Sequence, residues 1–243
     1  MAAPIIRLSK VCKRYGAIVV ADAIDIEVAG GEALGIIGPN GAGKTSLFNL
    51  VAGTVKADSG TIAYRNRDIT SLNAAARCRL GVSRSFQIPH PFSGMTVFEN
   101  VVVGAAFGGD MSEREAYAKA VEVLELTGLK AKANAMADSL TLLERKRLEM
   151  ARALATGPEL LLLDEIAGGL SEHECRELVA AITGLRKTGI SIVWIEHVVH
   201  ALLAIVDRLL VIDFGRIVAE GDPKTVMASR EVSEIYLGIE ADA

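Results

Sequence analysis

The chain has 243 residues, 51% of them hydrophobic and 23% charged, with a formal net charge of -4. That size suits one α/β domain able to bury a core without disulfide or metal staples, and the composition excludes a disordered chain. The slight acidity offers no global attraction for the phosphates of DNA or RNA, so no nucleic-acid partner is expected.

Cys12, Cys78 and Cys175 are scattered, odd in number and without metal-ligand spacing, which reads as reduced thiols in a cytosolic chain. The opening MAAPIIRLSKVCKRYG has no basic segment followed by an apolar core of the signal-peptide kind. No later run approaches the ~20 apolar residues needed to span a bilayer. Any link to a membrane is expected to pass through a partner.

In chain order, the first predicted elements are strands, IIRL near 5–8 and IVVADAIDIEV at 18–28, where β-branched residues partly alternate with polar ones. Gly30-Gly31 marks a turn. ALGIIG at 33–38 is a short continuous apolar run, the pattern of a strand buried on both faces of a parallel sheet. A helix follows from 43 to about 53, with Leu47, Leu50 and Val51 at helical spacing and Gly53 as its stop. GTIAY at 60–64 reads as a strand.

From about 96 to 155 the pattern is helical, in VFENVVVGAAF, REAYAKAVEVLELTG and ERKRLEMARALA, and forms a helical insert. Strands return in LLLLDE at 160–165, ISIVWIE at 190–196 and RLLVID at 208–213, with a helix near 172–187. That alternation implies βαβ units and a parallel sheet.

Gly38-Pro39-Asn40-Gly41-Ala42-Gly43-Lys44-Thr45 fits G-x-x-x-x-G-K-[ST], between a buried strand and a helix start where a phosphate loop must lie. Its glycines permit a tight turn whose N–H groups converge on phosphate oxygens, and the helix start adds its dipole. Lys44 is placed to neutralise phosphate charge, Thr45 to hold Mg²⁺, and Ser46 follows in the first helical turn. At the end of LLLLDE, Asp164 is placed to bind Mg²⁺ through its water shell and Glu165 to orient or deprotonate an attacking water. His197, after the strand ISIVWIE, is placed to contact the terminal phosphate.

In this order the elements resemble the ABC ATPase family along essentially the whole chain. The resemblance implies a P-loop NTPase fold of class α/β, with a parallel core sheet, an N-terminal antiparallel β subdomain and an inserted helical subdomain. Within a single domain 1–243, the nucleotide-binding core would occupy about 1–87 and 158–243, and the helical subdomain about 88–157. It further implies that Tyr15 stacks on adenine, that Gln87 is the Q-loop glutamine reaching Mg²⁺ and water, that Gly168-Gly169-Leu170-Ser171 is the D-loop and that His197 is the H-switch. ATP and Mg²⁺ are the implied ligands.

SRSFQIPHPFSGMTVFENV, LERKRLEMARALATGPELLLLDEIAGGL and RIVAEGDPKTVMASREVSEIYLG resemble most the ATPase subunits of branched-chain amino acid importers. The implied partners are a second ATPase subunit, two membrane permeases and, indirectly, a periplasmic substrate-binding protein, at the cytoplasmic face of the plasma membrane. ATPases of lipid or lipopolysaccharide export have similar short chains and stand as the alternative.

One motif departs from the family. Where Leu-Ser-Gly-Gly-Gln is usual, the chain has Leu140-Thr141-Leu142-Leu143-Glu144. Thr141 keeps a hydroxyl for nucleotide binding, but leucines crowd a phosphate approaching the backbone and Glu144 adds negative charge. Since the family's signature completes the opposite subunit's site, the departure favours a non-identical partner, with a homodimer left open. It also motivates a second reading, an ATP-dependent dimerisation module whose partner hydrolyses.

Overall fold

In the computed structural model, which describes residues 4–237, the apolar run after Gly31 becomes the central strand of the molecule. The first elements are β1 (Pro4–Tyr15), β2 (Ile18–Ala29) and this central strand, β3 (Ala33–Ile37). The phosphate-loop segment leads into α1 (Lys44–Ala52), followed by β4 (Ser59–Tyr64), β5 (Arg67–Asp68), α2 (Ala74–Leu80) and β6 (Val82–Arg84). The helical part comprises α3 (Val97–Val103), α4 (Glu113–Leu126) and α5 (Leu142–Ala155). The chain then returns to the sheet through β7 (Leu160–Asp164), α6 (Glu172–Arg186), β8 (Ser191–Ile195), α7 (Val199–Leu203) and β9 (Arg208–Asp213). It closes with β10 (Arg216–Gly221), α8 (Pro223–Met227) and α9 (Arg230–Leu237).

Two sheets result. One is antiparallel, in the order β2-β1-β4-β5; the other runs β10-β9-β3-β8-β7-β6 and is parallel except for β10. All five residues of β3, β7 and β8 are buried, so their sequences show no polar alternation. The period of two still operates within the core. Leu160 and Leu162 of β7 join Leu34, Ile36 and Phe48 under the antiparallel sheet, whereas Leu161 and Leu163 join the helices on the other face.

The predicted strand at 5–8 extends to Tyr15, because β1 pairs with both β2 and β4 and is held on both edges. The helix of VFENVVVGAAF is α-helical only to Val103 and widens into a π turn over Gly104–Gly108. Here α3 approaches α5 so closely that a Cβ on Gly104 would lie 2.6 Å from the carbonyl oxygen of Arg152. The elements α2, β6, α7, β10, α8 and α9 were not among the predicted ones. All are short, and none carries a long periodic run.

The helix that carries the phosphate loop is anchored by a residue distant in sequence. Arg77 of α2 is buried and donates through Nη1 to the carbonyls of Leu50 (2.6 Å) and Val51 (2.9 Å), in the last turn of α1. Its Nε and Nη2 reach the carbonyls of Leu72 (3.0 Å) and Thr70 (3.1 Å). Helix-terminal carbonyls lack intrahelical donors, so this guanidinium is a long-range cap. Arg77→Met keeps much of the volume but strands these acceptors, and should cost about 3 kcal/mol of unfolding free energy. A denaturant midpoint measures this, and a loss under about 0.5 kcal/mol would refute the role assigned to Arg77.

Candidate nucleotide site

The loop at 38–43 joins β3 to α1 and ends on Gly43, which is the N-cap at φ 105. No side chain caps this helix start, so its first N–H groups remain directed into the loop. A Cβ on Gly43 would meet the carbonyl oxygen of Val20 at 2.3 Å, so β2 presses directly on the loop. Lys44 lies folded back and buried, with Nζ donating to the carbonyls of Gly38 (2.7 Å) and Pro39 (2.9 Å). Burial lowers its ammonium pKa, opposed by the charges of Glu165 and Asp164. Thr45, Asn40 and Gly41 are exposed, Pro39 and Ser46 are half-buried, and Ala42 is buried.

Asp164 ends β7 and Glu165 follows it in a left-handed conformation, φ 45. This turn places the two carboxylates differently. Asp164 is buried and accepts from Nη2 of Arg84 at 2.5 Å. Glu165 is held from two sides, accepting from Gln87 Nε2 at 2.5 Å on Oε2 while Oε1 lies 3.0 Å from His197 Nε2. The structure thus brings Gln87, Glu165 and His197 together, with Lys44 and Asp164 close enough to act electrostatically.

Tyr15 stands 47% exposed at the end of β1, with the Lys13 ammonium 5.4 Å from its ring centroid. Thr141 is the N-cap of α5. Its hydroxyl accepts from the Glu144 N–H at 3.3 Å, and its own N–H donates to Glu144 Oε2 at 2.9 Å. The TLLE segment is therefore a reciprocal capping box, as are TVFE at α3 and SEHE at α6. The Glu144 N–H at this helix start is therefore taken by the chain itself. The S/T-x-x-E pattern was the available signal.

Three functional-site neighbours escaped the sequence reading. Arg84 bonds Asn49 Oδ1 at 2.6 Å as well as Asp164, and stacks near the rings of Phe48 (5.5 Å) and Phe86 (5.2 Å). Glu196 is buried beside His197 and accepts from the N–H groups of Ala167 (2.6 Å), His197 (3.0 Å) and Val198 (3.3 Å). Burial pushes its carboxyl pKa up, and these three donors oppose the rise. Lys146 of α5 is buried with its ammonium on the carbonyls of Gln87 and Glu165. No local motif announces such contacts.

A parallel sheet with a glycine-rich loop between its central strand β3 and a helix, and two carboxylates at the end of β7, one strand removed from β3, defines a P-loop nucleotide-binding protein. Residues 21–168 match the family described as ABC transporter. The chain is 35% identical over 253 aligned positions to the high-affinity branched-chain amino acid transport ATP-binding protein LivG of Salmonella typhimurium, covering 98% of this chain and 99% of the relative. It is 33% identical to a probable LivG of Methanocaldococcus jannaschii, covering 96% and 97%. An ATP-binding cassette of an ABC transporter, crystallised in its ADP conformation, superposes with a TM-score of 0.90 at 32% identity over 98% of this chain and all of that one. The chain belongs to the ABC transporter family and is one of its ATP-hydrolysing cassettes. Among the described residues, no helix is long and apolar enough to cross a membrane.

Proposed function

We propose that this chain hydrolyses ATP with Glu165 as the base, and that this drives uptake of branched-chain or related amino acids through two partner permeases. The observation that carries the reading is Glu165, one residue beyond Asp164, held between Gln87 and His197. Support for the cargo is the end-to-end similarity to relatives named for branched-chain amino acid transport. A methionine import ATP-binding protein, MetN of Rhizobium johnstonii, is 40% identical over 93% of this chain and 63% of its own length. Identity alone therefore does not rank branched-chain cargoes above other amino acids.

The donor set suits Mg²⁺. Thr45, Asp164 and Gln87 offer only oxygens, and a hard cation of this size is normally held by one or two protein oxygens together with substrate phosphates. No group of three or more His, Cys, Asp or Glu is placed to form an all-protein metal cage among the described residues. Thr45, Asp164 and Gln87 would hold the ion, which would supply neutralisation of charge at the phosphates. Lys44 leaves the carbonyls of Gly38 and Pro39 to meet the phosphates, and the open start of α1 supplies N–H donors. Glu165 takes a proton as the water oxygen bonds to the terminal phosphorus and the bond to the departing ADP oxygen breaks. Gln87 and His197 fix the Glu165 carboxylate, and Tyr15 presents its exposed ring to adenine.

The chain would act at the cytoplasmic face of the plasma membrane, as a pair with a second, non-identical cassette, served by a periplasmic binding protein. Thr141 would face the partner's nucleotide. One observation favours a functional asymmetry between the two sites: α1 begins with free N–H donors, whereas α5 begins with its own carboxylate in the capping position. On that basis this chain's own P-loop site is the competent one, and the site completed by its signature segment is impaired.

Reconstitution tests the transport role. Vesicles carrying the chain with the permeases and second cassette that co-purify with it, supplied with the cognate binding protein, should accumulate labelled leucine, isoleucine or valine only with internal ATP. ATP-driven efflux of lipid, or uptake confined to a chemically unrelated solute, would refute import of this class.

A further inference from the structure

Lys146 sits one turn into α5, on the helical side of the molecule, yet its ammonium ends among groups of the nucleotide core. It is 4% exposed. Nζ donates to the carbonyl of Gln87 at 2.6 Å and to that of Glu165 at 3.3 Å. Those two residues are 78 positions apart in the chain, and their side chains meet in the Gln87–Glu165 hydrogen bond. One ammonium therefore holds the main chain behind both members of that contact. The carboxylates facing it are Glu196, Glu165 and Asp164, which offset the cost of burying its charge.

The same helix holds the loop after Gln87 a second time. Arg152 donates through Nη1 to the carbonyl of His90 at 2.8 Å and lies 4.7 Å from the ring centroid of Phe92. With that loop tied to α5 at two places, a displacement of α5 carries the Gln87 main chain with it. Glu165 is instead anchored in the sheet, its N–H donating to the carbonyl of Ile195 at 2.9 Å. The contact between Lys146 and Glu165 therefore joins α5 to the sheet. At 3.3 Å it is the longer of the two Lys146 bonds.

We propose that Lys146 is a positioning residue for hydrolysis: by gripping the carbonyls of Gln87 and Glu165 together, it lets the placement of α5 decide whether Gln87 holds the Glu165 carboxylate in its working orientation. The proposal rests on Glu165 being the base. Both hydrogen bonds of the Lys146 ammonium go to main-chain carbonyls behind the base, so its loss misorients the base. The effect falls on kcat rather than on the affinity for ATP.

The test uses the assembled transporter, with Lys146→Met, Lys146→Gln, Lys146→Arg and Glu165→Gln each compared with the wild type in steady-state ATP hydrolysis. Lys146→Met is expected to lower kcat by about tenfold or more while KM for ATP stays within about twofold, the signature of an interaction that serves the transition state. Lys146→Arg, which keeps charge and donors, is expected to recover part of the loss. A kcat for Lys146→Met within about twofold of wild type would overturn the proposal. So would a rise in KM that accounts for the loss, an arginine variant no better than methionine, or failure of all three Lys146 variants to assemble. Loss of turnover in Glu165→Gln with normal turnover in Lys146→Met refutes the positioning role alone. Normal turnover in Glu165→Gln refutes the base and the proposal with it.

Discussion

Glu165→Gln should leave ATP binding intact and lower turnover at this chain's site by about 10²–10⁴-fold, the range a positioned general base contributes. The substitution is nearly isosteric, so the contact with Gln87 and the approach of His197 are preserved in shape while the proton acceptor is lost. Phosphate-loop contacts are untouched, because Lys44, Thr45 and the start of α1 lie on a different element from the turn after β7. Hydrolysis is read by phosphate release and binding by a fluorescent nucleotide. Parallel loss of both would show that Glu165 shapes the site instead of acting within it.

Gly43→Ala should have the largest effect on the loop itself. The new Cβ would have to occupy space 2.3 Å from the carbonyl oxygen of Val20, at a residue with φ 105. Neither partner can yield cheaply. Val20 lies in β2, and the β9–β10 turn is tied to the loop through Gly215 N–H on the carbonyl of Ala42 at 2.9 Å. Strain at this backbone conformation together with the overlap should destabilise the chain by about 3 kcal/mol or more. Because the strained residue is the N-cap of α1, the N–H donors for phosphate shift as well, and nucleotide affinity should fall by more than about tenfold. Equilibrium unfolding and nucleotide titration measure the two effects. Wild-type affinity in a fully folded variant would contradict the geometry assigned to the loop.

The parts of the molecule legible in the sequence were those whose physics is local. ALGIIG, LLLLDE and ISIVWIE announce buried strands because a strand covered on both faces needs no polar alternation. The residues Gly38 to Thr45 announce their loop because backbone conformation and phosphate contact are set within eight positions. Glu165 and His197 could be singled out because each follows such a strand directly. Arg77, Arg84, Lys146 and Glu196 could not, since each acts on groups brought near only by the sheet order. Arg84, on the short strand β6, reaches Asp164 because β6 and β7 are neighbours. The buried ammonium of Lys146 reads in sequence as one basic residue among three in ERKR.

The segment Leu140–Glu144 shows a different limit. Its residues were read by what they lack, the glycines and glutamine usual in the family. The structure shows what they do in the chain by itself: Thr141 and Glu144 cap α5, each taking up the other's N–H. Leu142 is 43% exposed, with a methyl group 3.4 Å from the Cβ position of Gly169 in the loop before α6. The pattern is a stable helix start bearing an acidic and an apolar side chain, both poor company for a phosphate. The opposite condition holds at α1, where no side chain competes for the donors. The account thus assigns turnover to the site built on this chain's own loop.

The measurement that tests this most directly is ATP turnover in complexes where the catalytic carboxylate is replaced by glutamine in one cassette at a time. With the partner's base removed and Glu165 intact, most of the turnover should persist; with Glu165→Gln here and the partner intact, it should fall to background. Wild-type turnover in the complex carrying Glu165→Gln in this chain would contradict the account.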